Sequence, residues 1–519
     1  MRNAHAVAGV RAAEGALMAL LPEGALMQRA AAGLAAACAG LLNRAGRADR
    51  DLGVYGSRVV VLTGGGDNGG DALYAGARLL ARGAVVTAVA AAERMHEGGA
   101  TALRGSGGRV IEAADQAADE AIAAADLIID GLLGIGGRGG LREPMATLAA
   151  LADLARAGGG GPAVVAVDLP SGVDADTGEV AGAAVRADVT VTFGTWKPGL
   201  LIDPGAGHAG LTELIDIGLG PYLPPASAVA YGAADVARLL PRPARESDKY
   251  RRGVLGIVAG SQRFPGAAVL AVGGALRGGA GLIRLVSAEP AVGVVRQHWP
   301  EAVITVIGDA APPSGQEIEA AGRVQAWLAG PGMGTDEAAR RRLAAVLATD
   351  LPALVDADGL TLLSQEPALV TGRTAATLLT PHAGELARLL GADPADVAAR
   401  RTEHARAAAA RFGACVLLKG STTVIAPGPD GPFLVNPTGT SWLATAGTGD
   451  VLSGLAGSLL AQGLAVSEAA AAAAYLHGIA ARYAAGGAGL GLTGEAPIGA
   501  GDVINALPEA IRRVREPRS

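Results

Sequence analysis

The sequence predicts an α/β protein of two three-layer αβα domains. Apolar, β-branched runs recur along the chain, each followed by glycines and then by an alanine-rich segment of helical length. That is the pattern of parallel strands covered by helices on both faces. At 519 residues the chain exceeds what one hydrophobic core organises, so two cores are expected. Its 79 glycines follow no G-x-y period and sit among long apolar runs, which places them in tight strand-to-helix loops. With 50% hydrophobic but only 3% aromatic residues, both cores must be packed from Ala, Val, Leu and Ile.

Taken in order, the first half offers strands at 59–62, 84–89, 127–129, 163–167 and 189–193. The second half offers them at 253–259, 282–286, 302–306, 353–355, 375–379, 416–418 and 423–426. Residues 158–161, all glycine, read as a turn inside the first domain. Between the halves, residues 218–232 carry three prolines without helical periodicity and residues 239–243 add two more. The boundary is therefore expected near residue 225, giving domains 1–225 and 226–519. No motif is shared between the halves, which favours a fusion over a duplication.

A formal net charge of −6 gives no global attraction for nucleic acid or an anionic membrane surface, so neither is an expected partner. Any phosphate must be held locally. Cys38 and Cys415 lie far apart without CxxC or His-rich surroundings, which argues against a disulfide framework and against zinc. A reducing cytoplasm fits that usage. Arg11 and Glu14 interrupt the N-terminal apolar run before it reaches signal length. No spanning helix is expected either, since Gln462 and several glycines break the most apolar late stretch, 451–467.

Residues 59–83 read as strand, glycine-rich loop and helix, with Asp67, Asn68, Gly69, Gly70 and Asp71 in the loop. Glycines there let backbone amides approach an anion at a helix start. The spacing is neither a dinucleotide fingerprint nor a Walker motif. Two further loops give it meaning. Asp130 ends the next strand and precedes Gly134, Ile135, Gly136, Gly137, Arg138, Gly139 and Gly140, while Asp168 and Ser171 end the strand after that. In an open α/β sheet these strand ends face one crevice. Asn68, Asp130 and Ser171 are oxygen donors suited to a hard monovalent or divalent cation. The plainer alternative makes Asp130, Asp168 and Asp174 helix caps and turn formers.

These three ordered loops, over residues 5–225, resemble the YjeF N-terminal domain, the NAD(P)H-hydrate epimerase family, with its G-x-G-N-N-G-G-D, D-(A/G)-L-L-G-T-G and D-x-P-S-G-(V/L) motifs. The resemblance implies a Rossmann-like fold. It also implies that Asp67 to Asp71, Gly134 to Gly140 and Asp168 contact the hydrated cofactor, and that Asn68, Asp130 and Ser171 bind K+. Asp168 is the acid/base candidate. Two positions depart from the family: Asp67 stands for its first Asn and Ala72 for a Gly.

In the second half, Asn436-Pro-Thr-Gly leads to Gly447, Thr448, Gly449 and Asp450 at the start of a long apolar helix. Unpaired amides of a helix start form an anion hole, and a carboxylate beside them can act as base on a hydroxyl that receives a phosphoryl group. Lys419, Gly420, Ser421, Thr422 and Thr423 follow a strand end where a cation and exposed amides could meet nucleotide phosphates. His382 follows a proline-stiffened strand exit with Glu385 one turn on, and Gly332 lies in another strand-end turn, as does the D-A-D turn of residues 356–358.

Over residues 235–510 these pieces resemble the ribokinase-like fold, and within it the NAD(P)H-hydrate dehydratase family. The shared marks are K-x-x-x-G from Lys249, G-S-x-x-x-P-G-A-A from Gly260, G-P-G-(M/L)-G, D-A-D-(A/G)-L, T-P-H-x-G-E, L-K-G-x-x-T and N-P-T-G…G-T-G-D. Asp248 stands where the family usually has His. The resemblance implies Asp450 as base, Gly447 to Gly449 as anion hole, Lys419 to Thr423 as the ADP cradle, and Gly332, His382 and Asp450 as hydrate contacts. It further implies ADP as phosphoryl donor with Mg2+, the substrates NADHX and NADPHX, and a homo-oligomer. Two other readings stay open at this point: a small-molecule kinase of the ribokinase class, and a binding scaffold like first-domain relatives in RNA-decapping assemblies.

Overall fold

The computed structural model describes residues 1–44, 53–157, 160–307, 316–486 and 494–516. Two glycines of the 158–161 turn thus lie outside the described residues. The chain divides into two compact units, residues 3–228 and residues 229–519 together with residues 1–2. Both are layered α/β structures. A first short strand, β1, spans Arg2–Ala4.

The first unit is built on seven strands: β2 (Arg58–Thr63), β3 (Val85–Ala90), β4 (Arg109–Glu112), β5 (Leu127–Gly131), β6 (Ala163–Val167), β7 (Val189–Phe193) and β8 (Leu211–Ile215). They pair in parallel in the order β4-β3-β2-β5-β6-β7-β8. Alternation along each strand makes the layers. Val59, Val61, Leu127, Ile129, Val165 and Val167 face one core with helices Ala25–Arg44 and Asp67–Leu80, while Val60, Leu62, Ile128 and Val164 face another with helices Gln116–Ala123 and Met145–Arg156. The chain reverses its direction of growth between β2 and β5, the topological switch where α/β sheets open a crevice at their carboxyl ends. Register places Asp130 beside Leu62 and Ala166, so the loops after β2, β5 and β6 meet there.

In the second unit a short strand, β9 (Ala228–Ala230), precedes β10 (Val254–Val258), β11 (Leu282–Ala288), β12 (Val303–Ile307), β13 (Ala326–Ala329), β14 (Ala353–Val355), β15 (Thr377–Leu379), β16 (Cys415–Leu418), β17 (Thr423–Ala426) and β18 (Phe433–Asn436). Their order is β9-β18-β17-β16-β15-β14-β13-β10-β11-β12. Pairing is parallel from β12 to β16 and antiparallel through β17 and β18. Helices Pro265–Arg277, Thr448–Ala461, Val466–Ala485 and Ala500–Arg515 supply much of its alanine- and leucine-rich core.

Every strand expected from sequence is present within a residue or two. Those not expected have physical reasons. β4 and β8 are sheet edges with a single buried residue between them, Ile111, so they lack an apolar run. β13 is fully buried but reads Ala-Trp-Leu-Ala, without β-branched residues. Two further expectations need correction. Asp67, Asn68 and Asp71 are not in a loop but in helix Asp67–Leu80, the first two in its first turn and Asp71 in its second, because extended Gly66 caps it directly and Asp67 suits the positive helix start. Helix Ala25–Arg44, with a window of mean hydropathy 1.4, is long and apolar enough by length and composition to cross a membrane. Eight alanines and five leucines or methionines give that value, and 44% of the window is buried, with Leu34, Cys38 and Leu42 in the first unit's core.

Candidate active sites

At the switch of the first sheet lies a cavity of about 1180 Å³. Its lining includes Asp67, Asn68, Asp71, Gly134, Ile135, Gly136, Gly137 and Asp168. Arg138, Gly139, Gly140, Gly69 and Gly70 do not line it: Gly69 and Gly70 are buried in the helix start, and Gly140 lies against Gly182. Helix Val7–Met18 adds Arg11 and Glu14 to the wall, and His96 and Tyr74 meet edge to face there. None of these four is marked by a motif.

Asp168 is the fixed point of this cavity. It follows β6 with a φ of +64°, a conformation that non-glycine residues hold only when their surroundings impose it. The imposing contacts are visible. Its amide donates to the Val191 carbonyl at 2.7 Å, and its Oδ1 accepts from Thr192 Oγ1 at 3.0 Å, from the Phe193 amide at 3.1 Å and from the Lys197 ammonium. Lys197 is 1% exposed and spends its other protons on Thr192 Oγ1 and the Phe193 carbonyl, at 3.1 and 3.0 Å. All these donors converge on one oxygen, leaving Asp168 Oδ2 as the atom available to a ligand.

Other carboxyls surround it. Burial, and then the charges of Asp168, Asp67 and Glu14, hold Asp71 well above the usual carboxylate range, and its buried Oδ1 has no partner. Glu14 is raised by the same causes, burial first.

Behind the cavity wall, Asp130 is fully buried. Its Oδ1 accepts from Ser171 Oγ at 2.6 Å and its Oδ2 from the Ser171 amide at 2.9 Å. Burial pushes it up to about 6 against those hydrogen bonds. The Asn68 side chain packs against Gly134, and its buried amide nitrogen has no partner. The side-chain oxygens of Asn68, Asp130 and Ser171 are of the kind a hard cation prefers, whereas the unsatisfied Asn68 atom is an N–H donor and no ligand for one. Among the described residues no group of three His, Cys, Asp or Glu offers a site of another kind. Asp174 takes the plainer role, accepting the amides of Asp176 and Thr177 in a turn.

In the second unit the sheet brings together ends of β14, β15 and β16. Lys419 follows β16 and donates to Asp356 Oδ1 at 2.8 Å, with Glu385 at 3.6 Å. Burial alone would lower the ammonium, but Asp356, Glu385 and Asp450 outweigh it and hold Lys419 above the usual lysine range. Asp450 sits in the first turn of helix Thr448–Ala461, whose leading amides have no intrahelical acceptor. Gly447 caps that helix in the left-handed region at φ +85°. Burial first, then Asp356, Asp358 and Glu385, push Asp450 up to about 7 against the Lys419 charge. Behind the turn, His477 meets the Thr448 carbonyl at 2.9 Å, and burial takes the ring down to about 4, so it is neutral.

Other sequence-marked residues divide by exposure. His382 caps helix Ala383–Leu390: its Nδ1 accepts from the Gly384 and Glu385 amides, which puts the ring proton on Nε2, 3.7 Å from Glu385 Oε1, on a side chain 58% exposed. Gly420 and Ser421 are exposed, whereas Thr422 and Thr423 are buried and Thr423 pairs with Asn436. The Thr448 hydroxyl turns back onto the carbonyls of Leu443 and Thr445. Gly332 sits in the strand-end turn after β13 with φ +58°.

Arg401, Ser453 and Lys197 are absent from the residues marked by sequence, and Asp356 was marked only as part of a strand-end turn, yet they hold the two centres in place. Arg401 is buried and ties the carbonyls of Leu418, Lys419 and Thr422, so it shapes the 419–422 loop. One signal in the sequence could have found Lys197. The chain holds three lysines, Lys197, Lys249 and Lys419, among 43 basic residues. Where arginine serves nearly everywhere, a retained lysine marks a place needing a compact ammonium.

Two acid–base centres, each at the carboxyl ends of a parallel sheet, define a bifunctional α/β enzyme. Residues 23–199 match the family described as YjeF-related protein N-terminus, and residues 255–496 that described as NAD(P)H-hydrate dehydratase. A bifunctional NAD(P)H-hydrate repair enzyme of Mycobacterium leprae is 46% identical over 98% of this chain and 99% of its own length. One from Mycobacterium tuberculosis is 48% identical over 91% and 92%. The crystal structure of an ADP/ATP-dependent NAD(P)H-hydrate dehydratase from Bacillus subtilis, co-crystallised with ATP and Mg2+, is 30% identical, covers 55% of this chain and 99% of its own, and has a TM-score of 0.47. This chain belongs to the family of bifunctional NAD(P)H-hydrate repair enzymes.

Proposed function

We propose that the unit of residues 3–228 interconverts the R and S hydrates of NADH and NADPH, and that the second unit dehydrates the S form at the expense of Mg·ADP. The observation that carries the second half is Asp450, beside an unpaired helix start and a buried ammonium.

Hydroxide is a poor leaving group. Asp450 accepts the proton of the C6 hydroxyl as its oxygen takes the β-phosphoryl group of ADP, releasing AMP. The amides of Gly447, Thr448 and Gly449 and the Lys419 charge stabilise the phosphoryl oxygens in flight. The ring nitrogen lone pair then expels phosphate from C6, and loss of a C5 proton restores the double bond. Gly420 and Ser421, exposed after β16, contact the nucleotide phosphates; His382 Nε2–H and the Gly332 turn hold the hydrate.

In the first unit, Asp168 Oδ2 takes the C6 hydroxyl proton as the C6–N1 bond breaks to an aldehyde and passes it to N1, and the reverse steps on the other face of that aldehyde re-form the ring with the opposite configuration. Asn68, Asp130 and Ser171 would hold K+, whose charge would steady the loops that bind the dinucleotide. The ligands are small molecules.

The test is to give the full chain pure S-hydrate with Mg·ADP and follow the reduced-nicotinamide absorbance together with AMP. Stoichiometric AMP and restored absorbance are expected. Phosphorylated hydrate accumulating without ring recovery would instead indicate a plain kinase.

A further inference from the structure

We propose that Asp356, with Ser453, is the positioning residue of the second centre: it fixes the Lys419 ammonium against the Asp450 helix start. This rests on the dehydratase reading above.

Asp356 follows β14 and is 1% exposed. Its two oxygens are divided between two elements, Oδ1 accepting from Lys419 Nζ at 2.8 Å and Oδ2 from Ser453 Oγ at 2.5 Å. Ser453 lies one turn beyond Asp450 in the same helix and is fully buried. One carboxylate therefore ties the end of β16 to the helix that forms the anion hole.

The main chain beneath it is equally constrained. The Asp356 amide donates to the Ala329 carbonyl at 3.1 Å, and a side chain at Gly330 would come within 1.8 Å of the Asp356 carbonyl. Ala357 is held at φ +49°, an uncommon conformation for a residue with a Cβ. The ammonium so placed would lie 3.4 Å from a Cβ added at Gly449. It thus rests on the turn that receives phosphate. A buried ion pair is a weak source of stability compared with an apolar replacement, so stability alone does not account for this one.

Asp450 is faced by Asp356 and Asp358 from the turn after β14, by Glu385 in helix Ala383–Leu390 and by Lys419 after β16, with His382 beside Glu385 and His477 against the Thr448 carbonyl. Asp356→Asn removes one negative charge from that set while leaving an oxygen for hydrogen bonding. In the full chain with S-hydrate and Mg·ADP, kcat falls about tenfold or more as Lys419 loses its anchor. The KM for ADP rises, and the acidic limb of kcat/KM moves to lower pH because Asp450 ionises more readily. Ser453→Ala keeps the charge, so its kcat falls by a smaller factor and the limb stays in place.

An unmoved limb in Asp356→Asn, or wild-type kcat in both variants, overturns the proposal. A wild-type denaturant-unfolding transition of residues 229–519 shows that the substituted unit is folded, and should Asp356→Asn fail to fold, Ser453→Ala decides alone: unchanged kcat refutes, lowered kcat with an unmoved limb supports. A wild-type chain without ADP-dependent dehydration would fail the dehydratase reading instead. Calorimetry of Mg·ADP then still tests the anchor, which predicts weaker binding in Asp356→Asn and is contradicted by equal binding.

Discussion

At the scale of single residues, chemistry is set by which groups are denied water. Asp450 must be ionised to accept a proton, and its environment pushes it up to about 7, so dehydratase kcat/KM is expected to fall as pH drops through about 7. Asp450→Asn should remove that limb and lower kcat about 10²- to 10⁴-fold while R-to-S conversion continues, measured by chromatography of the hydrates. Lys197 carries a different burden. Its ammonium is 1% exposed and pairs with Asp168, whose side chain is 12% exposed. Lys197→Met leaves that carboxylate buried without its counter-charge, a loss of about 3–5 kcal/mol for such pairs. Denaturant unfolding should show it together with lost epimerisation. Lys197→Arg should not rescue activity, because a planar guanidinium cannot reproduce three bonds from one small ammonium to Asp168, Thr192 and Phe193.

At the scale of elements, two helix starts carry the proposed binding sites. Gly447 is the clearest handle on one of them: an added Cβ would lie 2.3 Å from Leu270 Cδ1, and the φ of +85° itself disfavours any side chain. Gly447→Ala should therefore tilt the first turn and raise the KM for ADP, read by initial rates, while leaving the first unit's activity intact. Much of this level was legible in the sequence, because fully buried parallel strands such as 127–131 and 163–167 are continuous apolar runs ended by Asp130 and Asp168. Edge strands were not, since β8 exposes most of its residues and carries no apolar signature. The helix start at Asp67 was hidden by the glycines before it, which look like loop whether or not a helix follows at once. Lys419, His382 and Asp450 stood out through motifs, whereas Arg401, Ser453 and Lys197 act through contacts across 17 to 97 positions of chain and carry no local pattern.

At the scale of the whole chain, each unit has its own core. Residues from Val10 to Leu219 pack the two faces of one sheet, and residues from Val236 to Val514 pack the other. Expressed separately, residues 1–228 should retain epimerisation and residues 229–519 the ADP-dependent step, by the same two assays. We propose that two different carboxylates, Asp168 and Asp450, serve two successive reactions in one chain. It is tested most directly by giving pure R-hydrate and then pure S-hydrate, with Mg·ADP, to Asp168→Asn and Asp450→Asn and following reduced-nicotinamide absorbance. Asp168→Asn should recover S-hydrate at the wild-type rate and R-hydrate only at the spontaneous rate, while Asp450→Asn recovers neither. Wild-type recovery of R-hydrate by Asp168→Asn, or of S-hydrate by Asp450→Asn, would contradict it.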